Sequence, residues 1–371
     1  MKKRKSLLRS DSFQTLLTSL LCIILGVAIG YVVLLIINPA GAWKSMSALL
    51  KNFFHYPAGK LRMKYFGQTL VRTAPLLMCA LSILFAYKVG MFNIGAAGQY
   101  VAGACVGLYA AIAWQLPWYL CLLLAIAAGA FLGAISGALR TYCNVNVVIS
   151  GIMLNWIALY LTNLILTTVK HPNSPIQSPT AANPRSSETR PEQLFAAEDD
   201  HAIRLLSSGP RFILNDQPYE LKATGFNFNA AKYCGMKENR NVILTMVIAG
   251  GLAGMGAGLY YLTGIEDWET TISSVPGMGF NGIAVAFLGG LSPFGSILAS
   301  FFIQHITTGG CNVDLTVYSP QISSLISSLI IFLCAFSGFL KERLQASLRK
   351  GDERRAARAK LAEEQKGGAQ K

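Results

Sequence analysis

A chain of 371 residues that is 53% hydrophobic and only 13% charged, with a mean hydropathy of +0.43, is too poor in charge for a soluble domain. Soluble domains carry roughly a quarter charged residues, so the composition reads as a polytopic membrane protein. Its net charge of +14 gathers before the first apolar stretch (Lys2, Lys3, Arg4, Lys5, Arg9) and in the tail after Leu340. Charge at membrane edges, mixed with Glu and Asp in the tail, argues against a nucleic-acid partner and predicts two cytoplasmic termini by the positive-inside rule.

Apolar stretches long enough to span a bilayer, about 20 residues each, follow in order. The first, 13–37, lacks a small-residue cleavage site and is too long for a signal peptide, so it reads as a retained span. Next come 68–87, which Arg72 opens at the outer interface, then 92–113, 117–139 and 145–169. A long polar stretch separates these from 242–263, 279–305 and 319–340. Within 279–305 the run GGLSPFG (289–295) is a turn signal, so that segment reads as two short crossings. The eight cysteines form no CxxC and no Cys/His cluster. Five of them lie in apolar runs, where free Cys behaves as a small hydrophobe, and neither a disulfide framework nor a metal site is expected.

Counting crossings from a cytoplasmic N-terminus puts the chain outside near Lys170. Counting back from a cytoplasmic tail puts it inside near Lys222, among Lys232, Lys237 and Arg240. An odd number of crossings must lie between, yet 171–215 is rich in Pro, Ser, Asp and Glu. One span is therefore degenerate there, or the count is off by one elsewhere.

Polar residues inside apolar spans need partners or a purpose. Two short stretches place Phe-Asn among glycines: GMFNIG (90–95), with Phe92 and Asn93, and GFNGIA (279–284), with Phe280 and Asn281. Asn offers a donor and an acceptor for a sugar hydroxyl or a base edge, and Phe can stack on a base. The same residues also suit helix packing through small residues and interhelical amide bonds. Gln99 and Asn155 carry the same ambiguity. Glu266, Asp267 and Glu269 are expected on the outer side, facing a basic partner or simply solvated. The amphipathic, basic stretch YELKATGFNFNAAKYCGM (219–236) is cytoplasmic by parity. Gly225 and Gly235 are expected to bracket a short helix with Ala230 and Ala231 in its body.

Four stretches in this order, MFNIGAAGQY (91–100), NVNVVISGIMLNWIALYLTN (144–163), YELKATGFNFNAAKYCGM and GFNGIAVAFLGGLSPFGS (279–296), resemble the permease subunits of bacterial ABC importers for nucleosides and simple sugars. These belong to the branched-chain amino acid, ribose and nucleoside permease group. The resemblance covers most of the chain except about 171–215, where relatives have a further apolar helix. Many relatives also have Glu where Val147 stands, and some where Ala97 stands.

The resemblance implies an all-α polytopic membrane helix bundle of about nine to ten spans, two of them short or broken, in the bacterial cell membrane. It implies a second permease subunit, two cytoplasmic ATPase subunits and an extracellular substrate-binding lipoprotein. The stretch 219–236, with Glu220, Gly225, Ala230, Ala231 and Gly235, would then dock on the ATPase. Phe92, Asn93, Gln99, Asn155, Phe280 and Asn281 would line the pathway of a nucleoside or, alternatively, a ribose-like or other simple sugar. No GxxxxGK[S/T] loop occurs, so the chain is expected to use ATP only through its partners, with no cofactor of its own. An ion-coupled transporter would need intramembrane ionisable relays, which the spans almost lack.

Overall fold

A computed structural model describes residues 11–169, 219–263, 267–313, 317–319 and 321–334, with short pieces between 336 and 347. The expectations for 171–215 and for most of the tail 341–371 lie outside the described residues.

All its regular elements are helical: α1 (Asp11–Ile37), α2 (Pro39–Lys51), α3 (Gly59–Lys88), α4 (Ala96–Ile112), α5 (Trp118–Tyr142) and α6 (Val147–Leu166), then α7 (Tyr219–Phe226), α8 (Phe228–Tyr233), α9 (Glu238–Tyr261), α10 (Met278–Leu288), α11 (Pro293–Gly309) and α12 (Ile322–Cys334). Five are long and apolar enough to cross a membrane, and α4, α10 and part of α12 are shorter apolar helices. The chain is thus a multi-pass membrane bundle.

Helix α3 is its axis. From Thr73 to Ala86 every residue is buried, as expected of a helix that is apolar all round. Helices α9, α10 and α11 pack around it. By contrast α1, α5 and α6 each leave a broad apolar face exposed, such as Ile152, Met153, Trp156, Ile157 and Leu161 on α6. In a bilayer those faces meet lipid or another apolar subunit, because lipid tails are as apolar as Leu.

The tightest seam joins α5 to α9. Gly129, Gly133 and Gly137 on α5 recur every four residues, as do Gly250, Gly254 and Gly258 on α9. A methyl group on Gly129 would sit 2.3 Å from the Gly250 carbonyl oxygen, and one on Gly133 2.1 Å from that of Met246. Only glycine lets the two backbones approach this closely.

Three differences from the sequence reading have clear physical causes. Helix α2 was unmarked because Lys44, Ser45 and Ser47 break its apolar stripe. Asn38 nonetheless caps it, accepting from the Ala40 and Gly41 amides, with Pro39 in the first turn. Helix α4 starts at Ala96 rather than 92, because Gly90 takes a left-handed φ of 73° and residues 89–95 turn. Helix α3 begins nine residues before its predicted start, at Gly59 rather than 68, so Arg72 lies ~20 Å along it at 1.5 Å per residue, in mid-helix rather than at its mouth. The GGLSPFG segment does break the chain: Gly290 and Leu291 take left-handed φ of 63° and 54°, and Pro293 opens α11.

Candidate functional site

Two neighbouring regions carry the polar residues singled out above. The first is a closed amide cluster at the start of α4. Asn93 is 0% exposed. Its Nδ2 donates to Ser82 Oγ of α3 at 3.2 Å and to Gln99 Oε1 at 2.8 Å, while Gln99 Nε2 donates back to Asn93 Oδ1 at 3.3 Å. Helix α4 has no cap from its own N-cap residue, Gly95. Asn155 of α6 supplies one: its Oδ1 accepts from the Gly98 amide at 2.7 Å, and its Nδ2 donates to the Ile94 carbonyl at 3.1 Å. The first turn of a helix has unpaired N–H groups, and here a neighbouring helix occupies one of them. Close packing fixes the join, since a methyl on Gly98 would lie 2.7 Å from the Asn155 Cα. In this arrangement Asn93, Gln99 and Asn155 each have protein partners.

The second region is a cavity of about 440 Å³ bounded by α3, α4, α9, α10, α11 and the 267–277 connection. That volume falls within the roughly 300–1,000 Å³ of small-molecule sites. Its walls carry Arg72, Tyr100, Tyr260, Asp267, Glu269 and Asn281. Asn281 sits in the first turn of α10, its backbone N–H donating to the Gly277 carbonyl at 2.8 Å. Phe280 beside it is exposed. The ring centroids of Tyr100 and Tyr261 are 6.1 Å apart, and Tyr261 meets Trp268 edge-on at 5.5 Å. Asp267 and Glu269, expected on an outer loop, are wall residues here; Glu266 lies outside the described residues. The wall that bears them is anchored by Asn163 of α6. Its Oδ1 accepts from Trp268 Nε1 at 3.0 Å, and its Nδ2 donates to the Ile272 carbonyl at 2.8 Å.

The two Phe-Asn stretches meet. A methyl on Gly279 would lie 2.4 Å from the Cα of Ala97, so α10 is seated on the first turn of α4. The closed cluster is therefore the frame against which the cavity's Asn281-bearing helix rests. Sequence reasoning passed over Asn163 and the tyrosines, which no short pattern marks. Arg72, expected at the outer mouth of its span, is instead a mid-helix wall residue, where an ionisable side chain is a signal for function.

The third region is the basic end. The stretch 219–236 forms two short helices, α7 and α8, not one. Asn227 starts the second by accepting from the Ala230 amide at 3.0 Å, and Gly235 ends it with a left-handed φ of 78°. Gly225 is not a helix start. It lies inside α7 against the turn after α3, where a methyl on it would be 2.5 Å from the Val89 carbonyl carbon. Ala231 is buried, while Glu220 and Ala230 are exposed. Two large rings also stand free, Phe226 at 84% and Tyr233 at 93% exposure. Among the described residues no group of His, Cys, Asp and Glu could hold a metal ion.

Residues 65–335 match the family described as branched-chain amino acid transport system / permease component. The chain is 32% identical over 334 residues to the guanosine ABC transporter permease protein NupP of Bacillus subtilis, covering 86% of this chain and 93% of that one. It is 30% identical over 343 residues to the nucleoside ABC transporter permease protein NupB of Lactococcus lactis, covering 88% and 92%. A glucose ABC transporter permease protein, TsgB13 of Haloferax volcanii, is 29% identical over 297 residues, 74% of this chain and 78% of its own. No solved structure matches the chain.

Proposed function

Since the chain belongs to the family of branched-chain amino acid transport system permease components, we propose that it is the membrane-spanning subunit of an ATP-driven importer that carries nucleosides by alternating access. The observation that carries the choice of solute is the likeness to the guanosine and nucleoside permeases, which runs over more than nine-tenths of their lengths. The cavity suits such a solute chemically. Tyrosine rings can pack against a base. Asn281 offers both a donor and an acceptor, Asp267 and Glu269 can accept from ribose hydroxyls, and Arg72 can donate to ring or exocyclic acceptors. A simple sugar is the second reading, favoured by the glucose permease relative and by the same carboxylates.

In this account a binding protein delivers solute at the end of the bundle away from α7 and α8, where α9 reaches the cavity at Tyr260 and Tyr261. A second permease subunit, in a homo- or heterodimer, completes the pathway. Asn281 faces the solute, Phe280 stands exposed beside it, and Asn93, Gln99 and Asn155 hold the helix behind them in place. At the basic end, taken as cytoplasmic, α7 and α8 dock on the partner ATPase, with Phe226 and Tyr233 as aromatic anchors of the kind that dominate interfaces. The permease itself hydrolyses nothing. A solute shifts the outward–inward equilibrium only by binding one state better, so the cavity must lose contacts as it opens inward.

The test is uptake of labelled guanosine and of labelled ribose in cells carrying the chain with its ATPase and binding protein. Nucleoside import is expected, abolished when the ATPase is deleted. Import of ribose but not guanosine would favour the sugar reading, and uptake that survives ATPase loss would overturn both.

A further inference from the structure

Adjacent residues of α7 touch two different parts of the bundle. Gly225 lies against the α3–α4 turn: a methyl on Gly90 would be 2.8 Å from the Gly225 carbonyl oxygen, and one on Gly225 2.7 Å from the Val89 Cα. Thr224, buried beside it, accepts from Asn241 Nδ2 at 2.9 Å, which ties α7 to the start of α9. Both contacts continue as hard packing toward the cavity. From Gly90 the turn leads within three residues to Asn93, bonded to Ser82 and Gln99, and so to the seat of α10 on Ala97. From Asn241, α9 runs as one helix to Tyr260 and Tyr261 in the cavity wall.

We propose that Thr224 and Gly225 form a pivot that splits the push of a docked ATPase between the Asn281 wall and the tyrosine wall of the cavity. They are positioning residues and touch no solute. The proposal rests on the reading of α7 and α8 as the ATPase-docking element. Its physical basis is stiffness. The Gly90–Gly225 contact has no side chain to absorb a displacement, so a movement of α7 reaches the turn undiminished. The Thr224–Asn241 bond is buried, so a shift of α7 must carry α9 with it or break the bond. A pivot of this kind moves two walls of the cavity together, as alternating access needs.

The test uses the whole importer, permease pair with ATPase and binding protein, in proteoliposomes. ATP hydrolysis and labelled guanosine uptake are measured side by side. Thr224→Val keeps the shape and deletes the hydroxyl; Gly225→Ala adds one methyl to the contact. Both variants are expected to keep the ATPase bound and hydrolysing, while solute moved per ATP falls by roughly three- to tenfold, the scale of coupling carried by a single contact. Asn241→Ala should behave like Thr224→Val, and Gly59→Ala, at the start of α3 with nothing within 4 Å, should leave the ratio unchanged. An unchanged ratio in Thr224→Val overturns the pivot, and so does a proportional loss of hydrolysis and uptake, which is what a merely structural role gives. If Gly225→Ala does not assemble, Thr224→Val and Asn241→Ala decide alone. Failure of the parent chain to retain the ATPase would instead overturn the docking reading beneath it.

Discussion

The stretches around Asn93 and Asn281 look alike in sequence and behave differently in the fold. Asn93 is wholly buried, and its amide is shared with Ser82 and Gln99. Asn281 is exposed and lines the cavity. What separates them is the company each helix start keeps. Helix α4 begins among α3, α6 and α10, so its polar groups must be satisfied by protein. Helix α10 begins after an extended connection, with open space beside it. The same Phe-Asn pair thus serves as frame in one place and as wall in the other.

Substitutions can break this comparison, and the largest effect belongs to the frame. Asn155→Leu would strand the Gly98 amide and the Ile94 carbonyl, each buried loss costing about 1–3 kcal/mol. Amounts of folded protein in the membrane, and its melting temperature in detergent, should both drop sharply. Normal amounts with normal melting would show that the cluster frames nothing. A smaller effect is expected from Asn163→Leu, which removes the acceptor of Trp268 Nε1 and the donor to the Ile272 carbonyl and loosens the acidic wall. Guanosine uptake should fall by about tenfold, the equivalent of roughly 1.4 kcal/mol, with protein amounts near those of the parent. Unchanged uptake would remove that anchor from the account.

Asn281→Ala tests the wall itself. Losing one solute hydrogen bond, worth about 0.5–1.5 kcal/mol, should raise the half-saturating guanosine concentration by roughly two- to tenfold without altering protein amounts. A collapse in protein amounts would make Asn281 a frame residue like Asn93. The smallest change is expected for Phe280→Ala, because an exposed ring has little packing to lose; uptake within about twofold of the parent would agree with the surface substitutions typical of proteins.

Much of this fold can be read in the chain because membrane spans announce themselves by length and apolarity. The split of 279–305 at GGLSPFG was legible from its glycines and proline. The α5–α9 seam was written plainly as glycines every four residues, yet it was passed over in favour of polar residues. Helix α2 was hidden by its mixed stripe. The site was less legible for a different reason. Whether an Asn faces a cavity or a neighbouring carbonyl depends on partners 50 or more residues away, as Asn155 and Ile94 illustrate. Asn163 reaches Ile272 across a gap of 109 positions. No local pattern encodes such pairings. Arg72 is the intermediate case: its charge marked it, but only the length of α3 told how deep it lies.

The most direct test of the frame-and-wall account is thiol labelling at the two asparagines. A membrane-impermeant maleimide would be applied from the binding-protein side to Asn281→Cys and Asn93→Cys in the assembled importer. The parent chain, with its exposed Cys143 and Cys234, gives the background. The account predicts that the Asn281→Cys variant reacts above background and that guanosine slows the reaction, while the Asn93→Cys variant does not react. Labelling of Asn93→Cys that guanosine suppresses, with Asn281→Cys inert, would contradict it.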